Sequence, residues 1–306
     1  MAEMRFDGRV AVITGAGRGL GAAYARLLAA RGAKVVVNDP GVSMSGDGND
    51  VGPAQQIVTE IEAAGGQAVA NTDSVATPDG ASAMVDTALS TFGSVDIVIH
   101  NAGIVRRALL KDLSLEDFDS VLDVHLRGGF YVVRAAFPHM CQSGYGRIVL
   151  TGSINGLYGS SNVVNYSMAK AGLMGLSNVA ALEGEEYGIK SNMILPGAVT
   201  RMAEGLDTSQ YPPMDPELVA PMVAWLAHED CSVTGEMYIS IAGRMARAYA
   251  AETQGVFRPS WSIEDVAANI EAIRNTEDPL LFPPVPSGHA DHLRHSFAVA
   301  AKGQNR

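Results

Sequence analysis

Short runs of apolar, mostly β-branched residues recur along the chain, separated by longer segments whose apolar positions repeat every three or four residues. The runs are Arg9 to Thr14 (RVAVIT), Lys34 to Asn38 (KVVVN), Gln67 to Asn71, Val95 to Ile99, Arg147 to Thr151, Lys190 to Leu195 and Met237 to Ile241. Short apolar runs of this kind are the pattern of strands covered on both faces. Helices are expected between them at Leu20 to Ala30, Pro53 to Ala64, Pro78 to Phe92, Ser114 to just before Gly144, Val163 to Tyr187 and Asp215 to Ala227. Each strand-helix-strand unit is long enough for a right-handed crossover, so an α/β domain with a parallel, doubly wound sheet follows. After Gly243 the alternation stops. Residues 1–243 are therefore expected to form the main domain, and 244–306 an extension packed on it or on a partner subunit. In that extension Ser262 caps a helix carrying Glu264 and Asp265 in its first turn, and Pro279, Pro283, Pro284 and Pro286 break regular structure beyond it.

Composition narrows the classes. With 306 residues and 47% hydrophobic content the chain can bury a full core. A formal charge of −11 opposes a phosphate-backbone footprint, so no nucleic-acid partner is expected. Cys141 and Cys231 lie far apart without metal-type spacing, which suggests a reducing compartment. His289, His292 and His295 recur every three residues, but without acidic or cysteine partners they read as a solvated tail, not as metal ligands. The start MAEMRFDGR has no apolar signal core, no run reaches transmembrane length, and the final GQNR is no peroxisomal address. The expectation is a cytoplasmic protein with no membrane partner.

The first strand leads at once into TGAGRGLG, residues 14–21. Gly15 suits the tight turn, Gly19 the approach of backbone amides to a pyrophosphate, and Gly21 the close packing of the following helix. That helix, starting at Leu20, aims its positive end at the phosphate. Asp39 ends the second strand, about the ~20 residues beyond the glycines at which an acid meets a ribose. A carboxylate there accepts the ribose hydroxyls and repels a 2′-phosphate, so NAD is expected over NADP, although Arg18 inside the turn would welcome that phosphate. Asp73, just past the third strand, could accept from the adenine amino group or be a plain loop acid, and Ser74 follows it. His100-Asn101-Ala102-Gly103 lies at a strand's carboxyl end, where open α/β sheets bind ligands. Arg106, Arg107 and Lys111 form a local cationic cluster that reads either as a solvated face or, with Arg201, as a basic patch for an anionic ligand. Pro196-Gly197 breaks the sixth strand. Thr200, beyond Val199, is placed to bond a carboxamide or to cap a turn, and residues 200–214 would suit a substrate lid.

The chemistry concentrates between Ser153 and Lys170. Tyr166 and Lys170 are four apart, which on a helix stacks them on one face. A free tyrosine titrates near ~10. A unit charge at ~4 Å and an effective dielectric of ~20 is worth about 4 kcal/mol, enough to bring a phenol into the range of a general base or acid. Ser153 emerges at the carboxyl edge of the strand VLT and can hydrogen-bond a reacting oxygen. His125, in VHL within the long helical tract, reads as a core histidine by its apolar neighbours.

With the glycine turn, Asn101-Ala102-Gly103, Ser153, Tyr-x-x-x-Lys and Pro196-Gly197 in this order, the chain resembles the short-chain dehydrogenase/reductase family over about residues 6–243. The resemblance implies a seven-stranded Rossmann sheet, Tyr166 as catalytic acid/base, Lys170 binding the nicotinamide ribose and lowering the tyrosine pKa, and Ser153 holding the substrate oxygen. It also implies Asn101, Asp73 and Thr200 as cofactor contacts and a homodimer or homotetramer. Where the family usually carries Asn in V-N-L-x-G, this chain has Val124-His125-Leu126-Arg127-Gly128, and His125 is a candidate replacement in that residue's proton relay. That substitution, with VVVNDPG, the Gly-rich loop, DVHLRGGF and AALEGEEYGI, is similar to the (3R)-hydroxyacyl-CoA dehydrogenase unit of peroxisomal multifunctional enzymes, of which this chain would be a freestanding relative. The implied activity is NAD-dependent interconversion of a secondary alcohol and a ketone, with a 3-hydroxyacyl-CoA or a steroid as substrate. An NADPH-dependent 3-oxoacyl-carrier-protein reductase and a non-catalytic dinucleotide-binding scaffold are the alternatives.

Overall fold

The computed structural model describes residues 3–43, 48, 52–200 and 211–304. Arg201, Gly205 and most of the expected lid lie outside them, as does part of the loop after Pro40. Eight strands form one sheet: β1 (Val10–Thr14), β2 (Lys34–Asn38), β3 (Gln67–Asn71), β4 (Ile97–His100), β5 (Gly146–Thr151), β6 (Ile189–Gly197), β7 (Met237–Ile241) and β8 (Arg244–Ala248). Their spatial order is β3-β2-β1-β4-β5-β6-β7-β8. Strands β1 to β7 pair in parallel, Val12 opposite Val36 on one side and Val98 on the other. β1, β2, β4 and β5 are almost wholly buried, which is why they are apolar without alternation.

The eighth strand departs from the expected seven. It is a hairpin partner, joined to β7 by Ala242 and Gly243, both with positive φ (49° and 78°). Such a two-residue turn reverses the chain, so this edge is antiparallel. Its sequence, RMARA, is half exposed and too polar to register as a buried strand.

Helices cover both faces. α1 (Gly19–Ala30) packs against α2 (Gly52–Ala63) and α8 (Ala220–Ala227) on one side. On the other lie α3 (Pro78–Phe92), α5 (Gly128–Ser143) and α7 (Val164–Gly184). The main core joins Ile13, Val35 and Ile99 of the sheet to Tyr24, Leu28 and Ile57 of the helices. Caps follow the sequence signals: Thr77 accepts from Gly80 N at 3.1 Å to start α3, and Gly93, at φ 88°, ends it.

The tract from Ser114 to Gly144 is not one helix. α4 (Leu115–Leu122) passes through a π-helical turn, Asp123–Arg127, into α5. The wider turn interrupts the α ladder at His125, and such insertions gather at functional sites. α6 (Ile154–Tyr158) is a single turn capped by Ser153. Before α8, the expected helix from Asp215 is a 3₁₀ turn at Pro216–Leu218.

The chain divides into compact units Met1–Arg247 and Ala248–Arg306. In the second unit, α9 (Ile263–Ile273) begins with the expected cap: Ser262 Oγ accepts from Asp265 N, and Asp265 returns the bond to Ser262 N, both at 3.1 Å. The expectation of irregular chain to the end is corrected by α10 (His289–Gln304), which starts just past the last proline break. Its histidines have neighbours the sequence did not reveal: His292 lies 3.1 Å from Glu252, and both His292 and His295 flank Phe282.

Candidate active site

In the strand order, the chain moves outward from β1 to β2 and β3, then returns to place β4 on the other side of β1. The carboxyl ends of β1 and β4 flank this reversal, where doubly wound sheets open a crevice. A cleft of ≈ 570 Å³ lies there. Gly15, Arg18, Gly19 and Leu20 form one wall, and Tyr166, Lys170 and His125 belong to the other side of the same cleft.

The glycine turn is held by exact steric needs. Gly15 has φ 63°, and a Cβ on it would meet Ala102 Cα at 2.8 Å; one on Gly21 would meet Gly15 O at 2.2 Å. Thr14 and Asn101 tie the turn to β4. Thr14 Oγ1 accepts from Asn101 N and Ala102 N, both at 3.0 Å, while Asn101 Nδ2 donates to Gly15 O at 3.1 Å and Thr14 O at 3.3 Å. Asn101 lines the cleft, yet its amide is spent on shaping the turn. Ala102 and Gly103 line the cleft beside it.

Asp39 meets the glycine turn directly. Its carboxylate accepts from Gly17 N at 3.0 Å and from Gly41 N at 2.8 Å, so it both braces the turn and opens the following loop. Gly17, which the sequence reading did not single out, is required: a Cβ there would stand 2.8 Å from Asp39 Oδ2. The only sequence signal was its place in the four-glycine run. Asp73 is exposed and its carboxylate accepts from Asn71 Nδ2 at 2.8 Å; Ser74 reaches the cleft, with Val75 and Ala76. Pro196, Gly197 and Thr200 line the cleft's far side, where a Cβ on Gly19 would meet Thr200 Cγ2 at 3.3 Å. Val199 is engaged through its amide with Met214 O at 2.7 Å.

Tyr166 and Lys170 share one face of α7, with the ammonium 5.6 Å from the centre of the phenol ring. Lys170 is buried and donates to Thr151 O. Burial lowers its pKa to about 7, so it is not a permanent cation in the ligand-free chain. The expected lowering of the Tyr166 pKa is corrected here. Burial raises it, with the Ser153 hydroxyl and the Arg107 guanidinium pulling the other way. Desolvation wins because the ring is enclosed and the ammonium points to a carbonyl. Ser153 Oγ also accepts from Asn155 N at 3.1 Å, which fixes the hydroxyl at the start of α6.

His125 is fully buried and stacks edge-on to Tyr166. Its Nε2 lies 2.8 Å from Ile104 O and 3.1 Å from Ile104 N, and its Nδ1 has no partner among the described residues. Burial, then the Lys170 charge, hold its pKa well below the ordinary value, so the ring is neutral. His100, behind it, links Thr14 Oγ1 (3.1 Å from Nδ1) to His125 O (3.0 Å from Nε2).

A dinucleotide fits this cleft: a glycine cradle closed to any Cβ at three positions, an acid at the end of β2, and polar groups gathered at the far end. No helix among the described residues is long and apolar enough to cross a membrane.

The family model of the short chain dehydrogenases matches residues 9–210. Peroxisomal multifunctional enzyme type 2 of Drosophila melanogaster is 46% identical over 277 residues, covering 88% of this chain and 46% of that protein. The chain thus spans about half of that relative's length. The full-length structure of the same fly enzyme superposes with a TM-score of 0.81 at 36% identity, over 98% of this chain and 50% of that one. A short chain dehydrogenase from Mycobacterium avium gives a TM-score of 0.78 at 39% identity, over 93% of this chain and 99% of that one. The chain belongs to the short-chain dehydrogenase family, whose members bind NAD(P), and is an oxidoreductase acting on CH–OH groups.

Proposed function

We propose that the protein is an NAD-dependent dehydrogenase that oxidises a secondary alcohol to a ketone, with Tyr166 as the general base. The observation that carries this reading is that the Tyr166 phenol and the Lys170 ammonium line the same cleft as the glycine turn, with the Ser153 hydroxyl beside the phenol. Ser153 holds the substrate oxygen, and the phenolate of Tyr166 takes the hydroxyl proton. Lys170 binds the ribose next to the nicotinamide and, once charged, favours the phenolate. The bound nicotinamide supplies the hydride acceptor. Gly15, Arg18, Gly19 and Leu20 hold the pyrophosphate, helped by the dipole of α1; Asp39 takes the adenosine ribose, and Pro196, Gly197 and Thr200 the carboxamide.

Support for NAD comes from the Asp39 carboxylate lying against the glycine turn, where a 2′-phosphate would have to sit. Arg18 favours the second reading, an NADPH-dependent 3-oxoacyl-carrier-protein reductase, since it is exposed in that turn. Arg26 in the neighbouring hollow adds little, because Glu60 sits 2.7 Å from it. The named substrate classes are 3-hydroxyacyl-CoAs and hydroxysteroids, which the resemblance to multifunctional enzymes supports. The deciding measurement is NADH or NADPH formation with 3-hydroxyacyl-CoAs, hydroxysteroids and simple secondary alcohols. Tight NAD binding without turnover of any of them would favour a non-catalytic scaffold instead.

A further inference from the structure

His100 closes β4 and is fully buried, as are Thr14, opposite it in the β1–β4 register, and His125 of the π-helical turn. An imidazole in that place needs partners on both nitrogens, because a buried polar atom left without one costs more than an apolar side chain in the same space. Both partners are present. Thr14 Oγ1 stands 3.1 Å from Nδ1, and the carbonyl oxygen of His125 stands 3.0 Å from Nε2.

The two contacts demand the same tautomer. Thr14 Oγ1 already accepts from Asn101 N and Ala102 N, which occupies both its lone pairs and leaves its proton for Nδ1 of His100. A carbonyl only accepts, so Nε2 carries the ring proton and donates it to His125 O. The space is shaped for these rings. A Cβ on Gly129, at the start of α5, would lie 3.0 Å from His100 Cδ2 and 3.3 Å from its Nε2, and Gly103, after β4, leaves room for His125 in the same way. Each histidine is seated against a glycine of the other's segment.

A bonded path therefore runs from the glycine turn to the catalytic ring. Asn101 Nδ2 holds Gly15 O, Thr14 holds Asn101 N and His100, His100 holds the His125 carbonyl, and the His125 ring stands edge-on to Tyr166. The bond from Nε2 to Ile104 fixes one atom of the His125 ring; the angle at which that ring meets Tyr166 depends also on where the backbone of the π-helical turn lies. We propose that His100 is a positioning residue for the reaction: by holding the His125 carbonyl it sets the His125 ring against Tyr166, and through Thr14 it ties that arrangement to the glycine turn. The proposal rests on the dehydrogenase reading, with His125 taking part in it, and adds a residue that is not among those lining the cleft.

Two amides separate the two bonds. In His100→Asn the shorter side chain still meets Thr14 but stops short of His125 O, whereas in His100→Gln the longer one reaches that carbonyl. For an alcohol that the native enzyme oxidises, His100→Asn should lower kcat about five- to tenfold, the effect of one buried hydrogen bond, with the NAD dissociation constant within about twofold. His100→Gln should bring kcat back to within about twofold of the native value. A residue that only packs would lower the urea midpoint in both variants and leave kcat and KM of the folded enzyme unchanged, and that result overturns the proposal. A double variant shows whether the effect runs through His125. In a His125→Ala background, His100→Asn should cost less than about twofold in kcat, because the ring it positions is gone; losses that multiply overturn the proposal as well.

The rings also give a measure that needs no turnover. With nitrogen-15-labelled imidazoles, NMR should show His100 as the Nε2–H tautomer, and His100→Asn should move the His125 ring signals while His100→Gln restores them. If no alcohol is oxidised, the dehydrogenase reading fails, and these spectra still decide whether His100 holds His125 in place. An Nδ1–H tautomer at His100, or His125 signals unmoved by His100→Asn, ends the proposal.

Discussion

The imidazole of His125 stands edge-on to the ring of Tyr166, centroids 5.1 Å apart and planes at 85°. That contact exists because the π-helical turn carries His125 inward, and Gly103 leaves room for it: a Cβ there would lie 2.3 Å from His125 Cε1. The ring is neutral, so one nitrogen carries a proton and the other accepts. Nε2 is committed to Ile104, and Nδ1 is buried with no partner among the described residues, so a relay through His125 would have to use Nδ1. His125→Asn should preserve a polar group in the relay and keep most of kcat, while His125→Ala should lower it about 10²-fold, the lower edge for loss of a proton-transfer group. Stopped-flow NADH formation measures both. Equal kcat for the alanine variant and the native chain would return His125 to a packing role.

Tyr166→Phe should lower kcat by about 10²- to 10⁴-fold while NAD affinity stays within about twofold. The ring's packing against His125 survives the change; only the phenolic oxygen is lost. Fluorescence titration of NAD next to steady-state rates tests the split. In the alcohol-oxidising direction the native rate should climb with pH, because burial holds the ligand-free phenol protonated and the base form must be generated.

Most of the sheet and the glycine turn that lines the cleft were legible in the sequence, and many of the reasons are local. β1 and the Gly15 to Gly21 turn are adjacent in the chain, and Gly21 answers to Gly15 O and Gly17 to Asp39 at the end of β2, although Gly15 meets Ala102 and Gly19 meets Thr200 far along the chain. Lys170 one turn after Tyr166 was equally readable from helical spacing. What escaped depends on distance in sequence. The raised Tyr166 pKa comes from burial, which the spacing of two side chains does not encode. Asn101 serves the glycine turn through Thr14 and Gly15, 87 and 86 positions away. β8 and α10 lack the apolar patterning of buried elements, so neither stood out as periodic.

Asp39→Asn should move cofactor preference toward NADP. Two negative charges set ~4 Å from a carboxylate in water-like surroundings repel by about 2 kcal/mol, equivalent to about thirtyfold in relative affinity. Asparagine keeps an oxygen to accept the Gly17 amide, so the turn itself should hold. The ratio of kcat/KM for NADP to that for NAD is the measurement. An unchanged ratio would mean that Asp39 only braces the loop.

Two of the buried histidines, His100 and His125, should make the fold sensitive to acid. His100 is pushed down to about 3, first by burial and then by the Lys170 charge, and His125 moves in the same direction. In the unfolded chain an imidazole binds a proton below about 6.5, while folded His100 stays neutral until about 3. The unfolded state therefore binds more protons across that window. Stability is unaffected by these groups above about 6.5 and falls as pH drops, by up to ~1.4 kcal/mol per unit for each histidine. Lys170 acts elsewhere: its folded pKa of about 7 against an unfolded 10.5 makes stability rise between those values. His100→Asn keeps an acceptor for Thr14 but cannot be protonated, so it should flatten the acid limb even if it costs stability at neutral pH. Urea midpoints at pH 7, 5.5 and 4 for both proteins test this. Acid limbs that run parallel would show that His100 takes up its proton in the folded state as readily as in the unfolded one.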